Sequence, residues 1–563
     1  MKAIYNIWGL LSMVATLMLT ACSSEDDTLG MPEQSQNVKI IPYTVTVNGD
    51  ASTRASVDEN MKTLKFADGD KLYISGTNIS GVMDLQTGSG TASATFSGSL
   101  TYTGEGSPAD DLSLNATLVS AQQTDGVEVT IAANKTVTVN YGTALCEDLN
   151  TAVEMYSCLK GTSTYGSKSF SLTQQTAFLN FAMTLNDGTS NGASVTATVA
   201  NVGGSDRTGS ITAITEDGKV KVKFVAPVAT QTLTNAKVTV GTYPSIYFAL
   251  GKALSAKVYN IVRTYHNLRK TSASIPASEA WVIYQTNNES STGNNITIGD
   301  GGVAILAGVN IFRDYTNIAC SGNATIVIAD GSTNSMIADD HACCIAVGPA
   351  GKKLTIKGEY EGTGIITGGN NYEYYPGIGA GENSSCGDIE ILSGNITMRG
   401  GNYAAGIGTG SADTSPYSSR ESVCGNITIS GGTVHATGGN YGAGIGSGRS
   451  YSPSSTITIS GGNVTAIGGS YAAGIGGGAM FRGDNSKGVG WGDIVITGGT
   501  VVATMGTGSA ELSPYDIGAG GIRSGATGGP GFSTCGTVTV GGSANVTATN
   551  NRVQDYPNWP QLN

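Results

Sequence analysis

The chain has 563 residues, a formal net charge of −12, and only 13% charged residues. This length allows two to four domains. The acidic balance argues against nucleic acid as a partner, because phosphate binding needs a basic surface. Glycine supplies 82 residues, about twice ordinary usage, and Thr, Ser, Val, Ile and Asn are abundant. This composition predicts an all-β protein with many tight turns.

The first 21 residues have the pattern of an export signal. Lys2 precedes an apolar run, residues 7–19, which is too short to span a bilayer and is typical of a signal peptide. The run ends in LTAC (19–22), which resembles the lipobox of bacterial lipoproteins. That resemblance implies cleavage before Cys22 and acylation of its sulfur, for example by palmitate, as an anchor in the outer membrane. A secreted chain with a chance cysteine is the alternative.

Residues 22–37 form an acidic tether that starts with SSEDD (23–27). It resembles the surface-export signal of some Gram-negative lipoproteins, and a simple solvated linker is the alternative. Residues 38–265 then alternate apolar and polar side chains over short segments, with Gly, Asn and Asp at the breaks. This pattern predicts strands, and a stacked pair of β-sandwich subdomains is the architecture that it favours.

Four features of this N-terminal half belong together: the lipobox, the step TRA (53–55), the segment FADGDKLYIS (66–75) and the closing KVYNIVRTY (257–265). In these features the half resembles the fimbrillin-like family of surface lipoproteins. Members of the family form stalks, anchors or tips of fimbriae. The resemblance implies a location at the cell surface, possible assembly in fimbriae, and other fimbrial subunits as partners through donor-strand insertion.

The same resemblance implies a processing site. In polymerising members a trypsin-like protease cuts after an N-terminal arginine, and the strand that is lost opens a groove for a strand of the neighbouring subunit. Here the cut would fall between Arg54 and Ala55, and the lost strand would be residues 38–47. The driving interaction would be β-augmentation. An unprocessed surface arginine is the alternative.

The second half is a repeat. Gly-rich copies begin at residues 387, 425, 455 and 492, preceded by a degenerate copy (353–381) and followed by a partial one (536–551). Each copy holds three short strands with glycine at the corners, which predicts one triangular turn of a right-handed parallel β-helix. We expect a linker at residues 266–285, the β-helix at 286–550 and a C-terminal tail at 551–563.

Three features of the repeat make structural predictions. The Ala-Gly-Ile-Gly segment has almost no side-chain bulk, so it must lie against backbone or form a flat exposed face. One tyrosine precedes it in each copy and predicts a ladder that either binds sugar rings or stabilises adjacent coils, the second being favoured; the tyrosines are Tyr374, Tyr403, Tyr441, Tyr471 and Tyr515. Cys386, Cys424 and Cys535 share one slot, where buried free thiols are favoured over a disulfide.

Variable inserts separate the copies, and those starting at residues 411, 449 and 479 leave from one corner, which marks a candidate binding edge. Tyr417 and Tyr451 are candidate ligand-binding residues on these inserts. Arg482, Gly483 and Asp484 resemble the integrin-binding tripeptide of matrix proteins, and a chance match is the favoured alternative.

Catalysis is not expected. The chain has three histidines, and the nucleophile elbow and the zinc-binding helix motif are absent from the sequence. His435 is expected in a coil wall, and DDH (339–341) carries only part of a pectinase-like pattern. No cofactor and no metal site are predicted; a calcium site is the alternative to solubilising charges for a set of acidic residues: Glu359, Glu361, Glu373, Asp388 and Glu390.

Together these patterns predict a cell-surface adhesin, a fimbrial tip or accessory subunit, that binds a host receptor or a glycan through its β-helix. The alternative is a surface lipoprotein whose β-helix binds or degrades polysaccharide.

Overall fold

The computed structural model describes residues 38–49, 66–119, 128–141, 145–186, 189–203, 206–248, 253–286, 291–339, 341–371, 373–412, 422–452, 454–481, 489–508, 510–523 and 533–556. Over these residues the fold is all-β, with a single α-helix. None of the helical structure in these ranges is long and apolar enough to cross a membrane.

The N-terminal unit is a closed barrel whose strands follow the order β1-β4-β3-β2-β5-β8-β9. Its elements, with a hairpin (β6, β7) and a helix inserted, are β1 Lys39–Gly49, β2 Lys71–Gly76, β3 Ile79–Thr87, β4 Ser93–Tyr102, β5 Ser113–Val119, β6 Glu128–Ile131, β7 Val137–Asn140, α1 Leu149–Tyr156, β8 Leu159–Thr164 and β9 Ser169–Gln174. Hydrogen bonds thus run around a closed circuit, whereas the expected sandwich would have two separate sheets.

Strand β1 closes this barrel. It pairs antiparallel with β4 along nearly its whole length and parallel with β9 at its C-terminal end. Tyr43, Val45 and Val47 point into the core, while Thr44 and Thr46 between them face solvent. This alternation is what a two-residue strand period gives when one face is buried.

The second unit is a sandwich of two sheets. One sheet has the order β13-β14-β10-β17, and the other β12-β11-β15-β16. The strands are β10 Thr176–Leu185, β11 Ser194–Ala200, β12 Arg207–Thr212, β13 Ile214–Glu216, β14 Lys219–Ala229, β15 Lys237–Val240, β16 Ile246–Tyr247 and β17 Val258–Asn267. Phe181 and Phe224 stack at 4.8 Å in the shared core. Helix α1, capped by the Asp148 carboxylate, packs on this unit through Val153 and Tyr156.

The C-terminal unit is a parallel β-helix with three faces. The narrow face contains β18 Ala273–Ile275, β21 Ile296–Ile298, β24 Ile318–Cys320, β27 Ile345–Ala346, β30 Ile378–Ala380, β33 Ile407–Thr409, β36 Ile445–Gly446, β39 Ile475–Gly476 and β44 Ile517–Gly518. The first wide face contains β19 Ala280–Tyr284, β22 Gly302–Ala307, β25 Ala324–Ile328, β28 Lys353–Gly358, β31 Asp388–Ile391, β34 Ile427–Ile429, the first parts of β38 Ile457–Ile467 and β42 Ile494–Thr504, and β47 Val538–Val540. The second wide face contains β20 Ser291–Thr292, β23 Asn310–Arg313, β26 Thr333–Ala338, β29 Ile365–Asn370, β32 Asn395–Arg399, β35 Thr433–Thr437, the later parts of β38 and β42, and β48 Asn545–Ala548.

We number the coils 1 to 9 from the nine strands of the narrow face. Each Gly-rich copy supplies one strand to each face, as the repeat predicts; the copy that begins at residue 425 supplies β34 and β35 to coil 6 and β36 to coil 7. Ladders of buried aliphatic side chains fill the interior, with isoleucines such as Ile407 from the narrow face and Ile427 from the first wide face, and residues such as Val434 from the second wide face. A coil cannot bury its apolar side alone, so stability comes from stacking.

The β-helix and the sandwich share one continuous sheet. Strand β17 of the sandwich pairs parallel with β19 of coil 1, from Thr264↔Trp281 to Asn267↔Tyr284. The segment 266–285, expected as a linker, therefore contains the end of β17 and all of β18 and β19. The outer face of the first coils also completes the sandwich core, since Val282 and Ile305 are buried in it.

A polar contact holds the sandwich against coil 4. The two carboxylate oxygens of Glu359 accept hydrogen bonds from the backbone N–H of Tyr247 (2.8 Å) and of Asp330 (3.1 Å), and the rings of Tyr247 and Tyr360 stack at 5.1 Å. Burial raises the pKa of Glu359 above its ordinary value. These contacts, together with the shared sheet, hold the sandwich and the β-helix against each other.

Candidate binding surface on the insert edge

Four inserts leave the β-helix at one corner, between the narrow face and the first wide face. The narrow strands end at Thr409, Gly446, Gly476 and Gly518, and the next wide-face strands start at Ile427, Ile457, Ile494 and Val538. The described parts of the inserts stack in turn. They form a parallel sheet of β37 Tyr451–Ser452, β41 Val489–Trp491 and β46 Ser533–Thr534. In a second small sheet, β40 Met480–Phe481 pairs with β45 Ile522–Arg523, and β45 pairs in turn with β43 Ala510–Leu512, which comes from the segment between β42 and β44.

Buried hydroxyl groups fix the roots of these inserts. Ser422 donates to the carbonyl oxygens of Ser411 (2.7 Å) and Gly381 (3.0 Å), and Thr409 accepts from the N–H of Gly448 (3.0 Å). All of these side chains are nearly inaccessible to solvent. Serine-rich inserts suggest solvated loops from sequence alone, yet their ends behave as core because every buried hydroxyl has a partner.

The tyrosine ladder runs beside the insert roots. Tyr374, Tyr403, Tyr441 and Tyr471 stack in sequence, with ring centroids 5.3, 5.0 and 5.3 Å apart and planes within 14° of parallel. The backbone carbonyl of each of these four tyrosines accepts a hydrogen bond from a backbone N–H at the start of the insert on the next coil. For example, Arg449 N–H donates to the carbonyl oxygen of Tyr403 (2.8 Å). Tyr515 lies under the Arg552 guanidinium, 5.0 Å from its ring centroid.

This geometry favours the structural role for the ladder. A sugar stacks on the face of an aromatic ring, and the faces of Tyr403 and Tyr441 are covered by neighbouring rings. The Arg449 guanidinium also lies 4.9 Å from the Tyr403 centroid, where a cation–π contact stabilises the stack. The ladder therefore joins coils and positions the inserts.

We predict that Tyr441→Ala lowers the free energy of unfolding by roughly 3 kcal/mol, because it removes a buried ring and two stacking contacts. Tyr441→Phe keeps both contacts and should change it by less than about 1 kcal/mol. Urea unfolding followed by tryptophan fluorescence measures both. Equal losses for the two variants would contradict a role in stacking.

The cysteines of the β-helix are buried, apart from the half-buried Cys535. Cys386 and Cys424 bring their sulfurs to 2.8 Å. Three further thiols contact backbone carbonyls: Cys343 Sγ lies 3.7 Å from the oxygen of Gly379, Cys344 Sγ 3.2 Å from that of Gly369, and Cys535 Sγ 3.4 Å from that of Gly492. Burial raises the pKa of Cys320, Cys344 and Cys535 to about 12.

We predict that Cys320 and Cys344 resist alkylation in the native protein at pH 8. With a pKa of about 12, only roughly one thiol in ten thousand is ionised there, and the thiolate is the reactive form. The reactive fraction grows only as pH rises toward 12. Mass spectrometry after N-ethylmaleimide treatment should find both unmodified in the folded chain and both modified in urea. Rapid labelling of the folded chain would refute this.

Most candidate residues from the sequence lie outside the described residues: Cys22, Arg54, Ala55, Tyr417, Arg482, Gly483 and Asp484. Tyr451 belongs to β37, where it pairs with Gly490. His435 lies in the coil wall as expected, in β35 between Thr397 and Thr465. His266 packs against Trp281 and contacts the Thr271 carbonyl oxygen at 2.9 Å.

The acidic residues considered for calcium are engaged separately. Glu359 accepts the two backbone hydrogen bonds described above, Asp388 accepts one from Asn426 N–H (2.7 Å), and Glu390 pairs with Lys353 (2.9 Å). Within the described ranges, no group of three or more His, Cys, Asp or Glu residues is arranged to hold a metal ion. Glu359 and Asp388 thus act on backbone donors, and Glu390 acts on Lys353 and on the Thr355 hydroxyl (3.0 Å).

Comparison with known proteins identifies the repeat. A family model for a beta helix repeat matches residues 427–449 and 457–479, which belong to coils 6 to 8. A search of the curated proteins finds no match.

Solved structures share only loose similarity with the chain. A cell-adhesion candidate of Bacteroides ovatus is 12% identical with a TM-score of 0.23, over 40% of this chain and 92% of that one. An adhesin candidate of the same species is 11% identical with a TM-score of 0.23, over 43% and 95%. The major pilin T-13 of Streptococcus pyogenes is 10% identical with a TM-score of 0.13, over 40% and 98%. TM-scores this low do not establish a common fold.

Proposed function

We propose that this chain is a cell-surface adhesin, a fimbrial tip or accessory subunit held by an acylated Cys22 in the outer membrane, that binds a host receptor or glycan through the insert edge of its β-helix. The observation that carries the proposal is the common corner from which four inserts leave, on a stack of nine coils. Variable inserts on one side of a repeat often mark its binding face.

The shared sheet supports a terminal position over a position in a stalk. A strand from another subunit adds at a free sheet edge, but both edges of β17 are occupied in this chain, by β10 and by β19. The β-helix thus covers this edge of the sandwich sheet, so a strand of a further subunit cannot add there. We infer a fimbrillin-type arrangement in which the N-terminal units dock and the β-helix, wound in the right-handed sense that parallel crossovers favour, projects outward.

The rigid attachment supports a role in display. Side chains of coils 1 to 3, such as Val282, Ile305 and Val327, are buried in the sandwich core. A flexible linker would let the β-helix swing, whereas this junction fixes its direction. We expect recognition without catalysis: the inserts would supply Tyr417, Tyr451 and the Arg482–Asp484 tripeptide as contacts.

The test compares binding of purified variants to cultured epithelial cells and to a printed glycan array. One variant replaces residues 413–420 with a Gly/Ser segment of equal length and carries Arg482→Ala. It should no longer bind the cells or glycans that the wild-type chain binds. The matched control is Thr397→Ala with Thr465→Ala, two positions on the second wide face, which does not border the insert corner; it should leave binding unchanged. Equal binding by both variants would refute the insert edge, and release of oligosaccharides would refute a purely binding role.

A further inference from the structure

Cys386 and Cys424 lie directly opposite each other on coils 5 and 6. The bridge Ser385↔Val423 precedes them and the pair Ile389↔Ile427 follows, with the same offset between partners. No bulge separates the two positions, so the side chains of Cys386 and Cys424 are neighbours in one in-register ladder. Parallel neighbours about 4.8 Å apart fall within the range of Cα separations that a disulfide can bridge, which is roughly 4.4–6.8 Å.

The two sulfurs are also in direct contact. Cys386 Sγ and Cys424 Sγ are 2.8 Å apart, and the side chains are 2% and 1% exposed. Non-bonded carbon atoms settle at roughly 3.5–4.0 Å, and sulfur is the larger atom. The two sulfur atoms are therefore closer than non-bonded atoms of their size would be. Because both side chains are buried, neither can turn toward solvent.

This pair is isolated within its ladder. The register of the strands that follow places Gly351 at the equivalent position one coil before Cys386, and Ser454 at the equivalent position one coil after Cys424. The next coils carry Trp491 and Cys535 at the same position. Cys343 lies on coil 4, where its thiol is 3.7 Å from the carbonyl oxygen of Gly379. The ladder thus offers each of the two cysteines one partner of matching register.

The geometry points to a disulfide between Cys386 and Cys424 in the exported protein, an inference that rests on the surface location proposed above. The oxidant is a disulfide of an exported thiol–disulfide oxidoreductase or of a small molecule. One cysteine thiolate attacks that disulfide and displaces a thiol, and the second cysteine then attacks the mixed disulfide and displaces the other. The protein gains one S–S bond, and the oxidant leaves as two thiols that carry the two protons and two electrons.

The bond would serve the insert edge. Cys424 ends the insert that follows β33, three residues before β34 begins, and Cys386 holds the equivalent place one coil below. A cross-link here pins the root of the insert that contains Tyr417 to the neighbouring coil. The exchange must occur before coil 6 packs on coil 5, because both sulfurs are buried afterwards.

The test uses the full chain exported to an oxidising compartment of an expression host. The protein is unfolded in N-ethylmaleimide without reductant, digested and analysed by mass spectrometry. We expect a pair of peptides joined through Cys386 and Cys424, lighter than their sum by two hydrogen atoms and separated by reductant. Cys386→Ser should leave Cys424 alkylated, whereas Cys343→Ser should leave the cross-link intact.

Alkylation of both cysteines in the unreduced wild-type chain, or a cross-link from Cys386 to Cys343, would overturn the inference. The wild-type comparison with and without reductant decides the question even if the Cys386→Ser chain does not fold. Because the host supplies the oxidising compartment and adhesion is not read, failure of the proposed function leaves this experiment unaffected.

Discussion

Gly408→Ala should unstack the C-terminal coils of the β-helix and lower the free energy of unfolding by at least about 4 kcal/mol. Gly408 lies on the narrow face with φ +138°, a backbone conformation that side-chain-bearing residues rarely adopt. A Cβ there would lie 1.8 Å from the carbonyl oxygen of Gly446 on the next coil. Neither backbone can move away, since Ile407 and Ile445 on each side are buried core residues.

The same contact repeats along the face. A Cβ at Gly379 would meet the carbonyl oxygen of Gly408 at 1.7 Å, and one at Gly446 would meet that of Gly476 at 2.1 Å. The ladder formed by Gly379, Gly408, Gly446 and Gly476 therefore lets the backbone of each coil lie directly on that of the next. This is the backbone contact that the Ala-Gly-Ile-Gly segment predicts. Its second possible role, as a flat exposed face, is excluded because these glycines are buried.

The matched control is Gly369→Ala. Gly369 lies in β29 of the same β-helix, with ordinary φ, and a Cβ there has no atom within 4 Å. This change should shift the free energy of unfolding by no more than about 0.5 kcal/mol, in the stabilising direction, because alanine restricts the unfolded chain. Urea unfolding monitored by tryptophan fluorescence, with buried Trp491 reporting on coil 8, compares the two. Similar stability of both variants would contradict the packing argument.

The repeat is the part of the fold that sequence predicts well. In coil 6 and its successors the Gly-Gly pairs mark corners, and Ile, Val or Ala marks the inward positions of each strand, so the three strands per copy can be read locally. Coils 1 to 3, residues 273–338, lack the glycine pattern, and their strands GVAILA (302–307) and ATIVI (324–328) resemble any buried strand. Local pattern alone cannot place such strands on a particular face.

Two features of the fold depend on strands that are distant in sequence: the sheet shared by the sandwich and the β-helix, and the closed barrel. Neither could be predicted from local pattern. AWVIY (280–284) has no repeat signature, so only the pairing of β19 with β17 shows that it joins the two halves. The closed barrel likewise depends on pairing of β1 with β9, across more than a hundred residues. For the binding edge, sequence predicts the common corner of the inserts, but not that buried hydroxyls such as Ser422 fix their roots.

A chain that begins at Ala55, and so lacks β1, should bind the peptide of residues 38–49 in trans. Loss of β1 opens the barrel between β4 and β9, because β1 is the strand hydrogen-bonded to both. It also exposes the core around Phe96 and Phe170, which Tyr43, Val45 and Val47 cover. Burial of such side chains contributes roughly 1.5–3 kcal/mol each, and the exposed strand edges supply hydrogen-bond partners along the whole peptide.

Inward and outward side chains alternate along the peptide, so an outward substitution serves as the control for an inward one. Val45→Asp places a charge in the core and should weaken binding at least about 100-fold, whereas Thr46→Ser changes an outward side chain and should alter it by less than about threefold. Fluorescence anisotropy of a labelled peptide measures both affinities. If the two variants bind alike, the inward face of β1 does not hold it in the barrel. If the unmodified peptide does not bind at all, cleavage after Arg54 cannot prepare this barrel to accept a strand from a neighbouring subunit.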